Sequence, residues 1–260
     1  MNILDEIAEK TLERISEKAN EIPLSEVREK AEKLPANEDF PFEKALLGGE
    51  ISFICEVKRA SPSKGIIAAD FPYREIARDY EAAGAAAISC LTEPFWFKGS
   101  DAVLHEISAD VKIPVLRKDF TISEYMIYEA KILGAAAVLL ISSILTEKKL
   151  REYLELARSL GLSALVECRD ESEIKTAVAV GARIIGVNNR DLRDFSVDFT
   201  KSARLRALVP DDRIFVAESG VKTADDVKML REIGANAALV GETLMRASDK
   251  TAALRELRGF

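Results

Sequence analysis

Eight short apolar runs alternate with eight segments of helical periodicity, and this alternation predicts an α/β fold, a (βα)8 TIM barrel in a single domain. The length of 260 residues agrees with this prediction, because such barrels have about 250 residues. A repeated phrase supports it: Gly-Ala followed by an apolar run begins at Gly84, Gly134, Gly181 and Gly234. Each glycine follows a helix-like stretch and is typical of a helix C-cap, from which the chain enters the next strand.

Four further apolar runs lie between these phrases, at 51–58, 113–120, 162–168 and 213–220. Together the two sets predict eight strands, which begin near residues 51, 85, 113, 136, 162, 183, 213 and 236. Continuous apolar runs are typical of parallel strands buried on both faces. The period of two strand–helix units, βαβα, occurs four times, which favours a closed barrel over an open doubly wound sheet. No GxGxxG motif follows the first strand, so the dinucleotide-binding form of the open sheet lacks support.

Helical periodicity predicts a helix after every strand, at 72–83, 100–108, 123–133, 146–160, 171–180, 198–208, 223–233 and 249–257. Three more helices are predicted before the first strand, at 3–19, 24–33 and 41–47. Because so short a segment cannot bury a stable core of its own, we expect residues 1–49 to form a helical extension packed on a barrel of residues 50–260. We also expect the first 40 residues to cover the substrate end of the barrel.

Composition excludes several classes of partner. The net charge of −7 argues against a nucleic-acid partner, and no apolar run approaches the roughly 18 residues of a membrane span. The charged start is unlike a signal peptide, and three cysteines without CxxC spacing indicate buried reduced thiols and a cytoplasmic protein. The single histidine, His105, lacks a cluster of ligands, so no metal site is predicted. The sequence does not indicate whether the protein has protein partners.

The carboxyl ends of the predicted strands are polar, and catalytic residues gather at these ends in barrels of this kind. Strand alternation puts Glu56 and Lys58 on one face, above Ile54 inside the barrel. Further polar residues at the strand ends are Lys118, Glu167, Asn188 and Glu218. Such charges could simply turn to solvent. Their convergence on one end of an apolar barrel favours a functional site, since charges are costly to desolvate without a partner or a role.

Three loops suggest how a phosphorylated small molecule would bind. Glycines in 218–220 and 240–242, after strands seven and eight, let backbone N–H groups at helix starts approach an anion. The Ser/Pro/Lys/Gly loop 59–65 is typical of an anion clamp, although these residues also dominate ordinary turns. The aromatic segment 93–100 could line a pocket for a planar ring or serve local packing.

The motifs EVKRASPSKG, LTEPFWFKGS, LRKDF, LVEC, GVNNRDL, AESG and LVGETLM, read in order, resemble those of the indole-3-glycerol phosphate synthase family across all eight units. The helical extension is also typical of that family. The resemblance implies a barrel enzyme of tryptophan biosynthesis with no metal or organic cofactor. It further implies ring closure of 1-(o-carboxyphenylamino)-1-deoxyribulose 5-phosphate to indole-3-glycerol phosphate, with loss of CO₂ and water.

The resemblance also implies residue roles. Lys118 would be the general acid of ring closure and Glu167 the general base of dehydration. Lys58 would contact the substrate carboxylate and act as a second acid, with Arg190 near the same carboxylate. Glu56 and Asn188 would orient these groups, and Glu218 would contact the sugar hydroxyls.

Other positions match the binding pocket of the family. The phosphate-site matches are Ser61, Ser219, Gly220, Gly241 and Glu242, the last by its backbone; the pocket matches are Pro62, Phe97, Phe120, Leu192 and Leu239. Small departures at Trp96 and Asn189 concern affinity only. Two alternatives stay open at this point. A phosphoribosylanthranilate isomerase-like enzyme would need a Cys–Asp pair in place of Glu56 and Lys58, and a non-catalytic phosphate-binding barrel would not need the lysines and Glu167 together.

Overall fold

The computed structural model describes residues 3–191 and 195–259. Its strands are β1 (Ser52–Val57), β2 (Ala60–Ser61), β3 (Gly65–Ile66), β4 (Ala87–Leu91), β5 (Val115–Lys118), β6 (Ala137–Ile141), β7 (Ser163–Cys168), β8 (Ile184–Asn188), β9 (Ile214–Glu218) and β10 (Ala237–Val240). Strands β2 and β3 form a short antiparallel hairpin, and the other eight form a closed barrel. All barrel pairs are parallel, and β1 closes the barrel by pairing with both β4 and β10.

The helices are α1 (Ile3–Glu21), α2 (Leu24–Glu32), α3 (Pro41–Ala45), α4 (Tyr73–Ala82), α5 (Asp101–Asp110), α6 (Glu124–Ile132), α7 (Glu147–Ser159), α8 (Glu171–Ala179), α9 (Thr200–Arg206), α10 (Ala224–Glu232), α11 (Glu242–Arg246) and α12 (Lys250–Arg258). The predicted barrel is confirmed, and each predicted strand start and helix lies within two residues of the observed one. The hairpin, a 3₁₀ turn at Ser142–Ile144 and the short helix α11 were not predicted.

Side chains of the barrel strands alternate between two apolar cores. Outward residues such as Phe53 and Val166 pack under the surrounding helices. Inward residues such as Ile54, Leu165 and Val216 fill the barrel. The interior is therefore apolar up to the carboxyl ends of the strands, where the next inward residues along the same strands are polar.

Local sequence signals fix where the helices begin and end. The side chains of Ser123, Thr146 and Thr223 accept N–H bonds from the first turns of α6, α7 and α10, as expected of N-cap residues. At the other ends, the glycines of the Gly-Ala phrases have positive φ angles. That conformation is costly for other residues, so the repeated phrase marks the passage from helix to strand as predicted.

The extension contacts both ends of the barrel. Helix α1 packs on the 3₁₀ turn that follows β6, and Arg14 Nη2 donates to Asp119 Oδ1 just after β5 at 2.9 Å. Further along the chain, α2 packs on α6. Helix α3 then lies at the amino ends of the strands, where Glu43 forms an ion pair of 2.7 Å with Arg183 before β8. Helix α1 therefore lies at the carboxyl ends of the strands, while α3 covers the amino ends, at the base of the barrel.

Candidate active site

The carboxyl ends of the strands surround one cavity of about 510 Å³. Every predicted site residue that the structure describes lines this cavity: Glu56, Lys58, Ser61, Pro62, Phe97, Lys118, Phe120, Glu167, Asn188, Arg190, Glu218, Ser219, Gly220, Leu239, Gly241 and Glu242. The remaining one, Leu192, lies outside the described residues. The topology thus brings together side chains from across more than 180 residues of sequence.

Lys118 lies at the centre of the polar layer, because β5 directs it inward above Leu116. Its Nζ atom is 3.5 Å from Glu167 Oε2 and 3.6 Å from Glu218 Oε2. Burial alone would lower the pKa of Lys118, but the surrounding carboxylates, Glu167 first and then Glu218 and Glu56, outweigh it and raise the pKa above its usual value. The ammonium group is therefore charged at neutral pH and has a proton to donate.

Glu218 is buried beside a strand that leaves room for it. A methyl group added to Gly186 on β8 would place its carbon 2.2 Å from Glu218 Oε1. That oxygen has no hydrogen-bond partner among the described residues. Burial and the neighbouring Glu167 raise the pKa of Glu218 to about 8, against the opposing effect of Lys118. Its surroundings therefore favour the protonated form of Glu218 more than water does.

Glu56 and Lys58 form an ion pair of 2.5 Å, as their shared strand face predicts. Burial would raise the pKa of Glu56, but Lys58 and Lys118 lower it further than burial raises it. Gly241, on the turn after the neighbouring strand β10, makes room for the pair, since its added methyl carbon would lie 2.3 Å from Glu56 Oε1. Glu56 is thus an anion that holds the Lys58 ammonium in the mouth of the barrel.

The carboxyl end of β8 connects Glu167 to the loop after β9. Asn188 Nδ2 donates to Glu167 Oε1 at 3.2 Å, and its Oδ1 accepts from the backbone N–H of Arg190 at 3.0 Å. Asn189 is fully buried and donates to the Ser219 carbonyl at 3.0 Å. The side chain of Asn188 therefore orients Glu167, while that of Asn189 supports the loop after β9.

The loops after β9 and β10 form the opposite wall. Ser219 and Gly220 have φ angles of 65° and 92°, and a methyl group on Gly220 would lie 2.8 Å from Val197. After Gly241, helix α11 begins at Glu242, whose carboxylate accepts from Arg246 Nε at 3.0 Å. Two tight backbone turns with cations beside them suit a bound phosphate.

Two aromatic side chains form one wall of the cavity. The rings of Phe97 and Phe120 lie 6.2 Å apart between centroids, at an interplanar angle of 42°. Trp96 and Phe97 both pack against the inner cluster of the barrel, whereas Phe95 is 43% exposed beneath the ammonium of Lys10. Of these three neighbouring aromatics, Phe97 is the one that lines the cavity.

The cavity also contains residues that the sequence analysis did not select. Lys222 and Arg246 add positive charge near the loops after β9 and β10, while Leu139 and Ile141 form part of the apolar floor. The alternation along β6 could have identified the two apolar residues, since both share a face with Ala137. Arg246 had no usable signal, because α11 has only five residues.

Three properties of the described part of the chain bear on its environment. No helix in residues 3–191 and 195–259 is long and apolar enough to cross a membrane. Within the same ranges, no group of three or more His, Cys, Asp or Glu side chains is arranged to hold a metal ion. The cysteines Cys55, Cys90 and Cys168 are free and buried.

Solved structures share the architecture. The chain superposes on 3-hexulose-6-phosphate synthase from Salmonella typhimurium with a TM-score of 0.66 at 12% identity, over 80% of this chain and 97% of that one. A thiamine phosphate pyrophosphorylase from Pyrococcus furiosus gives 0.62 at 17% identity, over 84% and 96%. At these identities the likeness concerns the fold alone.

Sequence comparison is more specific. Residues 4–257 match the family model of indole-3-glycerol phosphate synthase. An indole-3-glycerol phosphate synthase from Ruminiclostridium cellulolyticum is 56% identical over 257 residues, which cover 99% of each chain. Another, from Leuconostoc mesenteroides, is 50% identical over 259 residues, again 99% of each chain. Agreement of this extent shows that the chain belongs to the indole-3-glycerol phosphate synthase family.

Proposed function

We propose that this chain catalyses closure of the indole ring of 1-(o-carboxyphenylamino)-1-deoxyribulose 5-phosphate, giving indole-3-glycerol phosphate, CO₂ and water. The observation that carries the proposal is the layout of the cavity. Lys118 lies between two carboxyl groups at its centre, Phe97 and Phe120 line one wall, and the turns at Gly220 and Gly241 form another. A substrate with an aryl ring between a carboxylate and a phosphate matches this arrangement.

Ring closure needs an acid at the ribulose carbonyl. The ring carbon that bears the carboxylate attacks the carbonyl carbon, and the oxygen takes a proton from the Lys118 ammonium as the C–C bond forms. The carboxylate then leaves as CO₂, and the electrons of its bond restore the aromatic ring. The position of Lys118 supports this role, because its ammonium group lies 3.5 Å from Glu167 and 3.6 Å from Glu218 at the centre of the cavity. Its raised pKa keeps it protonated but makes it a weaker acid than a free lysine before substrate binds.

Dehydration needs a second acid and a base. The new hydroxyl leaves as water with a proton from Lys58, while Glu167 accepts a proton from the methylene carbon next to the ring nitrogen. Two protons are donated and one is recovered, so the reaction consumes one proton from solvent, as decarboxylation requires. The hydrogen bond from Asn188 to Glu167 supports this assignment, since it orients the base.

The two negative groups of the substrate are assigned to the positive side chains and backbone N–H groups of the cavity. Lys58 and Arg190 would hold the substrate carboxylate, while backbone N–H groups near Gly220 and Gly241 would hold the phosphate, with Ser61 and Pro62 closing from the loop after β1. Holding both ends brings the ring carbon close to the carbonyl, which contributes through proximity. The buried free thiols support a reducing, cytoplasmic location.

The test is to mix the purified protein with this substrate and follow indole fluorescence together with CO₂ release. We expect both signals to rise in equal molar amounts. Isomerisation of phosphoribosylanthranilate without either signal would favour an isomerase, and binding without turnover of either substrate would indicate a non-catalytic barrel.

A further inference from the structure

The turn after β4 is organised by a carboxylate that lies outside the cavity. Glu93 is 1% exposed. Its Oε1 accepts from the backbone N–H of Phe95 at 2.8 Å, and its Oε2 accepts from those of Trp96 and Phe97 at 2.7 and 2.9 Å. No cation pairs with it within residues 3–191 and 195–259. A buried carboxylate is costly unless its charge is compensated, and here three consecutive N–H groups provide the compensation.

The same turn is fixed at its other end. The backbone N–H of Gly99 donates to the Glu93 carbonyl at 2.9 Å. A methyl group on Gly99 would lie 2.2 Å from the Leu91 carbonyl oxygen, so the chain passes close to its own strand there. Lys98 has a φ of 55°, a conformation uncommon for residues other than glycine. These contacts hold both ends of the turn that carries the three aromatics.

The consequence for the cavity concerns Phe97. With its N–H held by Glu93, its ring packs against Phe120 and lines the cavity. Its carbonyl accepts from the Ala60 N–H at 3.2 Å, which connects the turn to the loop after β1. Loss of the carboxylate would free three N–H groups and release this ring from its place.

We propose that Glu93 is a positioning residue, which never touches the substrate but sets the affinity for its aryl ring by holding Phe97 in the cavity wall. This inference rests on the proposed function for the identity of the ring. It predicts that Glu93 governs binding of the aromatic part of the substrate, while the reacting groups around Lys118 stay in place.

The primary test measures kcat and KM for Glu93→Ala, with Glu81→Ala as the matched control. Glu81 also accepts two backbone N–H bonds, from Lys112 and Ile113, but it does so at the base of the barrel. We expect Glu93→Ala to raise KM about tenfold and to leave kcat within about threefold, because the lost interaction concerns binding. Glu81→Ala should leave both constants unchanged. A normal KM for Glu93→Ala, or a fall in kcat alone, would overturn the inference.

Inorganic phosphate is the probe for the rest of the site. As a competitive inhibitor it contacts only the phosphate side, so its inhibition constant should be the same in wild type and Glu93→Ala. A parallel weakening of phosphate and substrate would mean general loss of the site and would also overturn the proposal.

A double-mutant cycle tests whether Glu93 acts through Phe97. Phe97→Leu should raise KM by a similar factor, and the double variant should be no worse than either single one, because both remove the same interaction. Additive effects would show that Glu93 acts by another route. If Glu93→Ala does not fold, Glu93→Gln preserves volume and presents N–H groups where the backbone needs an acceptor, so the same KM effect is expected.

Trp96 gives a readout that is independent of catalysis. It is the single tryptophan of the chain and lies in the turn that Glu93 holds. We expect acrylamide to quench its fluorescence more strongly in Glu93→Ala than in wild type or Glu81→Ala. Equal quenching would contradict the inference. If wild type failed to close the ring, the proposed function would fall, whereas this measurement would still decide whether Glu93 holds the turn.

Discussion

The ammonium group of Lys118 is held at the centre of the cavity, 3.5 Å from Glu167 and 3.6 Å from Glu218. Because its proposed action is on the carbonyl oxygen in the transition state, Lys118→Ala should lower kcat by about 10²–10⁴ and change KM by less than about tenfold. Steady-state kinetics followed by indole fluorescence measure both constants. Lys112→Ala, an exposed site before β5, is the control. Near-normal turnover of the Lys118 variant would remove this residue from its role.

Glu167 offers a way to separate the two halves of the reaction. Glu167→Gln keeps the shape and removes the base, so the variant should bind substrate and release CO₂ but stall before the aromatic indole forms. The expected loss of overall turnover is about 10²–10⁴. A single-turnover experiment should follow CO₂ and indole fluorescence separately. Parallel loss of both signals would assign Glu167 to ring closure or to substrate positioning instead.

Glu218 should make stability depend on pH. Its carboxyl, faced by Lys118, Glu167 and Glu56, has a pKa raised from 4.5 to about 8. The folded protein therefore keeps a proton that the unfolded chain releases at lower pH. This contribution is complete below pH 4.5 and is lost as the pH rises through about 8.

The variant Glu218→Gln remains neutral at every pH, so its melting temperature relative to wild type should increase from about pH 5 to about pH 9. Circular dichroism melts at several pH values measure this difference, and the other titrating groups largely cancel in it. A difference that stays constant with pH would show that Glu218 is charged throughout this range in the folded protein.

At the residue scale, strand alternation was enough to predict that Glu56 and Lys58 share a face. It could not reveal that Gly186 makes room for Glu218, because that contact depends on the register between β8 and β9. The role of Glu93 could not be predicted from the sequence either. Its partners are backbone N–H groups, which every residue except proline has, so no residue type indicates them.

The loops after β9 and β10 are the elements assigned to phosphate. We expect a crystal grown in sulfate to contain an anion near the backbone N–H groups of Gly220 and Gly241, because tight turns followed by a helix start collect N–H donors. An electron-density map calculated before any anion is placed is the measurement. An anion elsewhere in the mouth, with none at these turns, would contradict the assignment.

Helix α1 connects the extension to the catalytic end. Arg14 binds both carboxylate oxygens of the buried Asp119 at 2.9 Å, next to Lys118 in sequence. Deletion of residues 1–40 should therefore raise KM, by about tenfold if the wall around Phe120 loosens, and should lower thermal stability because α6 loses its cover. Kinetics and thermal melts test both effects. Unchanged KM and turnover in the shortened chain would show that the extension has no part in the site.

Helix and strand periodicity located nearly every element, including α3 with only five residues. The exceptions are all short: β2 and β3 have two residues each, the 3₁₀ turn has three and α11 has five. The path of the extension was predicted only in part. Its amphipathic helices had to pack on the barrel, but their sequence did not indicate that α3 would cover the base.

Across the whole molecule, closure of the barrel depends on the pairing of β1 with β10, in which Ser52 lies opposite Ala237. During synthesis the chain emerges at about 5–20 residues per second. Because β10 is the last strand, β1 lacks its second neighbour until all the other strands have been made. Over that interval the growing sheet has a free apolar edge, which is the kind of surface that chaperones bind and that joins chains into aggregates. The pair that completes the native sheet therefore also sets the period in which the nascent chain most needs protection.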